Sequence, residues 1–107
     1  MPQRGSRPLG RDPFDPLDGP VGDTLDLHGF ARVEARGLLE TYLASRRRRR
    51  PGILVHIITG RGRNSPGAPV LKPMVKGYLA TAPASVVRAW GRDVDDGGFL
   101  VRLAGHS

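Results

Sequence analysis

Hydrophobic and polar positions alternate through "TLDL", residues 24–27, so Leu25 and Leu27 face one way while Asp26 and His28 face the other. That is a half-buried strand, and Gly29 ends it. From Ala31 to about Arg47 the period changes. Ala35, Leu38, Leu39, Tyr42 and Leu43 recur at helical spacing and form one apolar stripe. No Ser, Thr or Asp caps this helix, Gly37 weakens it by about 1 kcal/mol relative to Ala, and "PG" at 51–52 stops it.

"ILVHIITG", residues 53–60, is apolar on both faces, as expected of a central strand covered on both sides. The turn-rich stretch "GRGRNSPGAP" follows. A second helix is predicted over about 70–80, with Leu71, Met74, Val75, Tyr78 and Leu79 inward and Pro73 in its first turn. "SVVRAWGRD" and "GFLVRLAG" read as two strands, with Trp90 in the core and "VDDGG" as the hairpin turn. The order βαβαββ predicts an α/β domain of two-layer α+β type: a mixed four-stranded sheet with two main helices.

Composition adds boundaries. Residues 1–22 contain five prolines and four glycines, which predicts a flexible tail ahead of a domain over 23–107. Phe14 and Leu17 offer apolar contacts that would dock it. With no cysteine in 107 residues, disulfides and thiolate chemistry are excluded. Three scattered histidines without HxxH or HxH spacing argue against a metal cage. No run approaches the roughly 20 apolar residues needed to span a membrane. Without a signal-like N-terminus, a cytoplasmic location is the default expectation, as is a monomer.

Charge narrows the partner. The net charge is +7, and no acidic residue occurs from Thr41 to Arg92, a span that holds Arg46 to Arg50, Arg61, Arg63, Lys72, Lys76, Arg88 and Arg92. A one-sided basic stretch favours a polyanion, most simply nucleic acid. Arg46, Arg47, Arg48, Arg49 and Arg50 also suit a helix C-terminus, where the dipole favours cations. A solvated Arg-rich surface is the bland alternative.

Two places carry candidate chemistry. Gly60 and Gly62 flank Arg61, with Arg63 beyond, in a loop leaving a buried strand. Glycine lets the backbone approach a phosphate, and Arg grips it bidentately. The ending of a Walker loop and the third glycine of a dinucleotide fingerprint are both missing. Asp26 and His28 share a strand face, so the carboxylate can orient the imidazole for general acid/base work. They also suit a plain strand end. His56, in the buried strand, reads as a satisfied core histidine.

"LDLHGFARVEA", then "IITGRG" after a helix, then "VLKPMVKGYL", resembles the Smr (small MutS-related) domain in order and spacing, over roughly residues 24–103. The resemblance implies a fold similar to the C-terminal domain of translation initiation factor three. It implies nucleic-acid binding with endonuclease activity, since family members nick DNA or cleave messenger RNA at stalled or collided ribosomes. Carried over residue by residue, the catalytic pair is Asp26 and His28, and the nucleic-acid loop is Gly60, Arg61 and Gly62. Arg63, Lys72 and the run Arg46 to Arg50 join the expected binding surface. The implied partner is RNA or DNA, with the ribosome as a candidate context. On RNA, the neighbouring 2′-hydroxyl attacks in line and no cofactor is needed. On DNA a water must be activated, which brings in a divalent cation. The third motif, usually His-Gly-Gly, a spacer and Gly-Ala, departs from pattern: "DDGGFLVRL" has Asp96 where the histidine stands and runs from Gly98 straight into Phe99. A binding module without catalysis is therefore the alternative, and a protein-interaction domain with an incidental basic surface is a third.

Overall fold

A computed structural model describes residues 15–60 and 68–105. The elements run β1 (Asp23–Asp26), α1 (Arg32–Arg49), β2 (Leu54–Ile58), α2 (Ala68–Thr81), β3 (Val87–Arg92) and β4 (Gly98–Leu103). The four strands form one mixed sheet in the order β1-β2-β4-β3. β1 lies parallel to β2, as a helical crossover requires, while β4 is antiparallel to both β2 and β3. The β3–β4 hairpin thus folds back so that its second strand, not its first, reaches the sheet centre.

Alternation assigns the two faces. Val55 and Ile57 of β2, Phe99, Val101 and Leu103 of β4, and Val87 of β3 meet Ala35, Leu39 and Leu43 of α1 and Leu71, Met74, Val75 and Leu79 of α2 in one core. Trp90 joins it from the edge, its ring 6.0 Å from that of Phe99 in an edge-on arrangement. Both helices therefore cover the same face, in two layers.

The other face of β2 carries Leu54, His56 and Ile58, and no helix covers it. Leu54 is nonetheless buried. In place of a second helical layer, part of the N-terminal segment lies here. The Arg102 guanidinium donates to the carbonyls of Pro16, Asp18 and Gly52. Leu17 packs over Gly91, where a Cβ would stand 2.9 Å from its Cδ1. The Gly22 N–H donates to the Leu54 carbonyl at 2.7 Å. Residues 15–22, read from composition as part of a flexible tail, are thus hydrogen-bonded to the sheet. Arg102 supplies what their few apolar side chains cannot. Phe14 lies outside the described residues.

One detail of α2 differs from expectation. The helix begins at Ala68, so Pro73 falls in its second turn rather than its first. Pro69, not Pro73, occupies the early position where a missing N–H has no helical partner anyway. Pro73 leaves the Pro69 carbonyl without an i+4 donor, a cost that core packing of the neighbouring Leu71, Met74 and Val75 offsets.

Candidate functional site

Asp26 is the last residue of β1, and its carboxylate is used twice by the residues that follow. Oδ1 accepts the His28 backbone N–H at 3.0 Å, closing an Asx turn, and lies 2.7 Å from His28 Nδ1. Gly29 follows at φ 89°, a left-handed turn that brings the Phe30 N–H back to the Leu27 carbonyl. Leu27 is fully buried, and its N–H donates to the Ile58 carbonyl at 2.8 Å, so the turn is pinned at its base. The two side chains remain open to solvent, His28 at 62% and Asp26 at 48%. Burial of the Asp26 carboxyl raises its pKa, but the His28 ring, backbone N–H and charge together outweigh that and hold it below the ordinary value.

Asp26, Ile58 and Gly98 stand in one row across three strands. The row joins the His–Asp turn to the glycine loop and to the β3–β4 hairpin. Thr59 is fully buried. Its N–H and hydroxyl both donate to the Gly97 carbonyl, at 2.9 and 3.3 Å, and the Gly60 N–H donates to the same oxygen at 3.0 Å. Gly60 takes φ 103° and starts the loop at this end of the sheet. Gly98 has a steric reason to be glycine, because a Cβ there would run into the Ile57 carbonyl. The paired glycines of "DDGG" thus serve as anchor and close crossing. Arg61, Gly62 and Arg63 lie outside the described residues.

Lys72, on α2, comes to this same end. Its Nζ is 3.3 Å from Asp96 Oδ2 at the hairpin tip, where Asp96 adopts a left-handed φ of 58°. A hollow of about 280 Å³ opens beside this pair, lined also by Lys76, Arg92 and Phe99. Sequence reasoning noted Lys76 and Arg92 within the acid-free stretch but gave them no role, since only the fold brings them to Lys72.

The arginine run goes elsewhere. Arg46 Nε pairs with Asp23 Oδ2 at 2.5 Å, Arg47 donates to the carbonyls of Ser85 and Gly105, and Arg50 donates to that of Gly22. Asp23 starts β1 and Asp26 ends it, so about 10 Å of strand separates the run from the His–Asp turn. Three of the five arginines assigned to a nucleic-acid surface are therefore clamps at the far end of the sheet. α1 is long enough to carry its C-terminus past the first residue of β1, which places these guanidinium groups over backbone carbonyls. Beside them the Tyr42 hydroxyl is kept un-ionised, by burial first and then by the Asp23 carboxylate.

His56 is satisfied, but not in the helical core. Its Nε2 meets Asp93 Oδ2 at 2.7 Å on the sheet face opposite the helices, a pairing of residues 37 apart that no sequence motif signals. Among the described residues, no group of three or more His, Asp or Glu stands together as a metal cage. Nor, among them, is any helix long and apolar enough to cross a membrane.

Comparison with known proteins bears on the fold. The Smr domain model matches residues 25–103. The chain is 43% identical over 61 residues to an uncharacterized protein of Treponema pallidum (strain Nichols), a match covering 55% of this chain and 29% of that one. The chain thus spans under a third of that relative's length. The solution structure of the SMR domain of NEDD4-binding protein 2 superposes with a TM-score of 0.54 at 26% identity, covering 84% of this chain and 94% of that domain.

Proposed function

Given that the chain belongs to the Smr domain family, a family of nucleic-acid-binding, nuclease-like domains, we propose that it binds nucleic acid and cleaves phosphodiester bonds at Asp26 and His28. The observation that carries this reading is the 2.7 Å contact between His28 Nδ1 and Asp26 Oδ1 on an exposed turn. A carboxylate on Nδ1 selects the tautomer whose Nε2 bears the lone pair, and Nε2 then faces solvent as a proton acceptor.

On RNA, Nε2 takes the proton of a 2′-hydroxyl, the new 2′-oxygen–phosphorus bond forms, and the bond to the 5′-oxygen breaks in line; the leaving 5′-oxygen takes a proton from water, and His28 returns its own to solvent. Asp26 holds the ring and stabilises its protonated state. Arg61 and the amides of the glycine loop are the groups assigned to the phosphoryl oxygens. On DNA the attacking group is a water, and a divalent cation is the agent proposed to activate it. RNA is the substrate this pair suits best, because the nucleophile is internal and one imidazole can take its proton.

The test is incubation of labelled single-stranded RNA and DNA with wild type and His28→Ala, each with and without EDTA. Wild type cleaves RNA in EDTA and His28→Ala is slower by roughly 10²–10⁴-fold, the usual range for a general base. Equal cleavage by both proteins would sink the catalytic role. Binding by both with cleavage by neither would identify a binding module, the outcome that Asp96 in the hairpin favours.

A further inference from the structure

Lys72 and Lys76 lie four residues apart and so share one face of α2. Arg92 ends β3 on the helical side of the sheet, opposite Phe99 in register. All three cationic residues line the 280 Å³ hollow, together with Phe99 and Pro73. Among the described residues, Asp96 is the one acid that lines it, and it touches Lys72 from the hairpin tip. Three cationic residues against one exposed carboxylate leave an excess of positive charge around the hollow. A bound dianion or phosphodiester would relieve it.

We propose that this hollow is a phosphate subsite for the strand whose cleavage is assigned to His28, with Lys72, Lys76 and Arg92 as its ligands and Asp96 as an internal competitor. The proposal rests on the phosphodiester reading above and adds where the rest of the substrate is held. Gly98, which lines the hollow, shares a row with Asp26 two strands away, about 10 Å across the backbone by strand spacing, with the Asp26 side chain on the face away from the helices. Phe99 is only 3% exposed, so its ring is closed to base stacking and recognition falls to the phosphate. The subsite therefore fixes register without reading sequence.

The test measures binding of a labelled, random-sequence single-stranded RNA by fluorescence anisotropy over a salt series. The full chain is used as wild type, as the double variant Lys76→Gln/Arg92→Gln, and as Asp96→Asn. Asn tolerates the left-handed backbone at 96 and removes the charge. The double variant is expected to bind on the order of tenfold more weakly, with the log–log salt slope flattened by about 0.7 for each cation lost. Asp96→Asn is expected to bind more tightly than wild type. A double variant with wild-type affinity and slope overturns the subsite while leaving the cleavage reading intact. Absence of RNA binding by wild type overturns both. Should the double variant fail to fold, Asp96→Asn decides, and unchanged affinity there overturns the proposal.

Discussion

His56 Nε2 and Asp93 Oδ2 lie 2.7 Å apart, and this contact braces the β3–β4 hairpin against the central strand β2. Asp93 organises the turn with its remaining groups: Oδ1 accepts the Gly97 N–H, its carbonyl accepts the Asp96 N–H, and its own N–H reaches the Gly98 carbonyl. At 11% exposure, its carboxylate has little water to fall back on. His56→Ala is therefore expected to cost about 1–3 kcal/mol, the range for stranding a buried acceptor. Urea unfolding at constant m measures it, and amide exchange should quicken at Gly97 and Thr59. A midpoint equal to wild type would show the brace to be idle.

Gly98→Ala should be the most damaging single methyl in the sheet. The Ile57 carbonyl that a Cβ would strike belongs to the central strand and cannot rotate away. A loss of about 3 kcal/mol or more is expected, at the upper end for overpacking. Thermal unfolding tests this, with Gly37→Ala as the control: a Cβ at Gly37 meets nothing within 4 Å, so alanine there should stabilise α1.

Acid should find the Asp23–Arg46 pair. The Arg46 hydrogen bond first, and the Thr24 N–H next, hold the Asp23 carboxyl below its ordinary value. A folded-state pKa lowered in this way means stabilisation that is complete above the unfolded value of about 3.9 and lost as pH falls through the lower folded one. Asp23→Asn should therefore unfold at a lower temperature than wild type near pH 7, and the gap should close as pH drops well below 4. A gap of constant size across the series would rule out this linkage.

The arginine run should divide by role. Arg47 donates to two carbonyls, of Ser85 and Gly105, and Arg47→Ala is expected to lower the melting temperature. Arg48→Ala and Arg49→Ala should stay within about 0.5 kcal/mol of wild type, as surface changes usually do. Calorimetry on the three variants separates a clamp from a solvated face.

Local periodicity was enough to read the six elements, because each strand and helix buries a face whose spacing stands in the chain. The contact at the end of β1 was legible too. Asp26 and His28 are two residues apart, and an Asx turn is a local event. What escaped the sequence depends on crossings. Nothing local says that β4 rather than β3 lies beside β2, and that order alone brings Arg92 to Lys72 and Asp93 to His56. The intramolecular partners of Arg46, Arg47 and Arg50 escaped for the same reason. Charge density along a chain does not reveal which guanidinium groups meet backbone carbonyls from residues up to 58 positions away. Pro73 escaped for a smaller reason: the boundary of α2 moved by two residues.

The Gly97 carbonyl, which receives Thr59 and Gly60, sets a sequence in time as well as in space. The loop that begins at Gly60 leaves a ribosome well before the hairpin that holds it, and β4 is both the last of the six elements and an interior strand. Chain synthesis proceeds from the N-terminus, so the segment ending at Thr81 can form two helices and a β1–β2 pair while its glycine loop still lacks an anchor. The Gly97 anchor and the Gly98 crossing exist only once that hairpin has docked. Until β4 slides between β2 and β3, Asp26 and His28 sit on a formed turn with nothing assembled across from them.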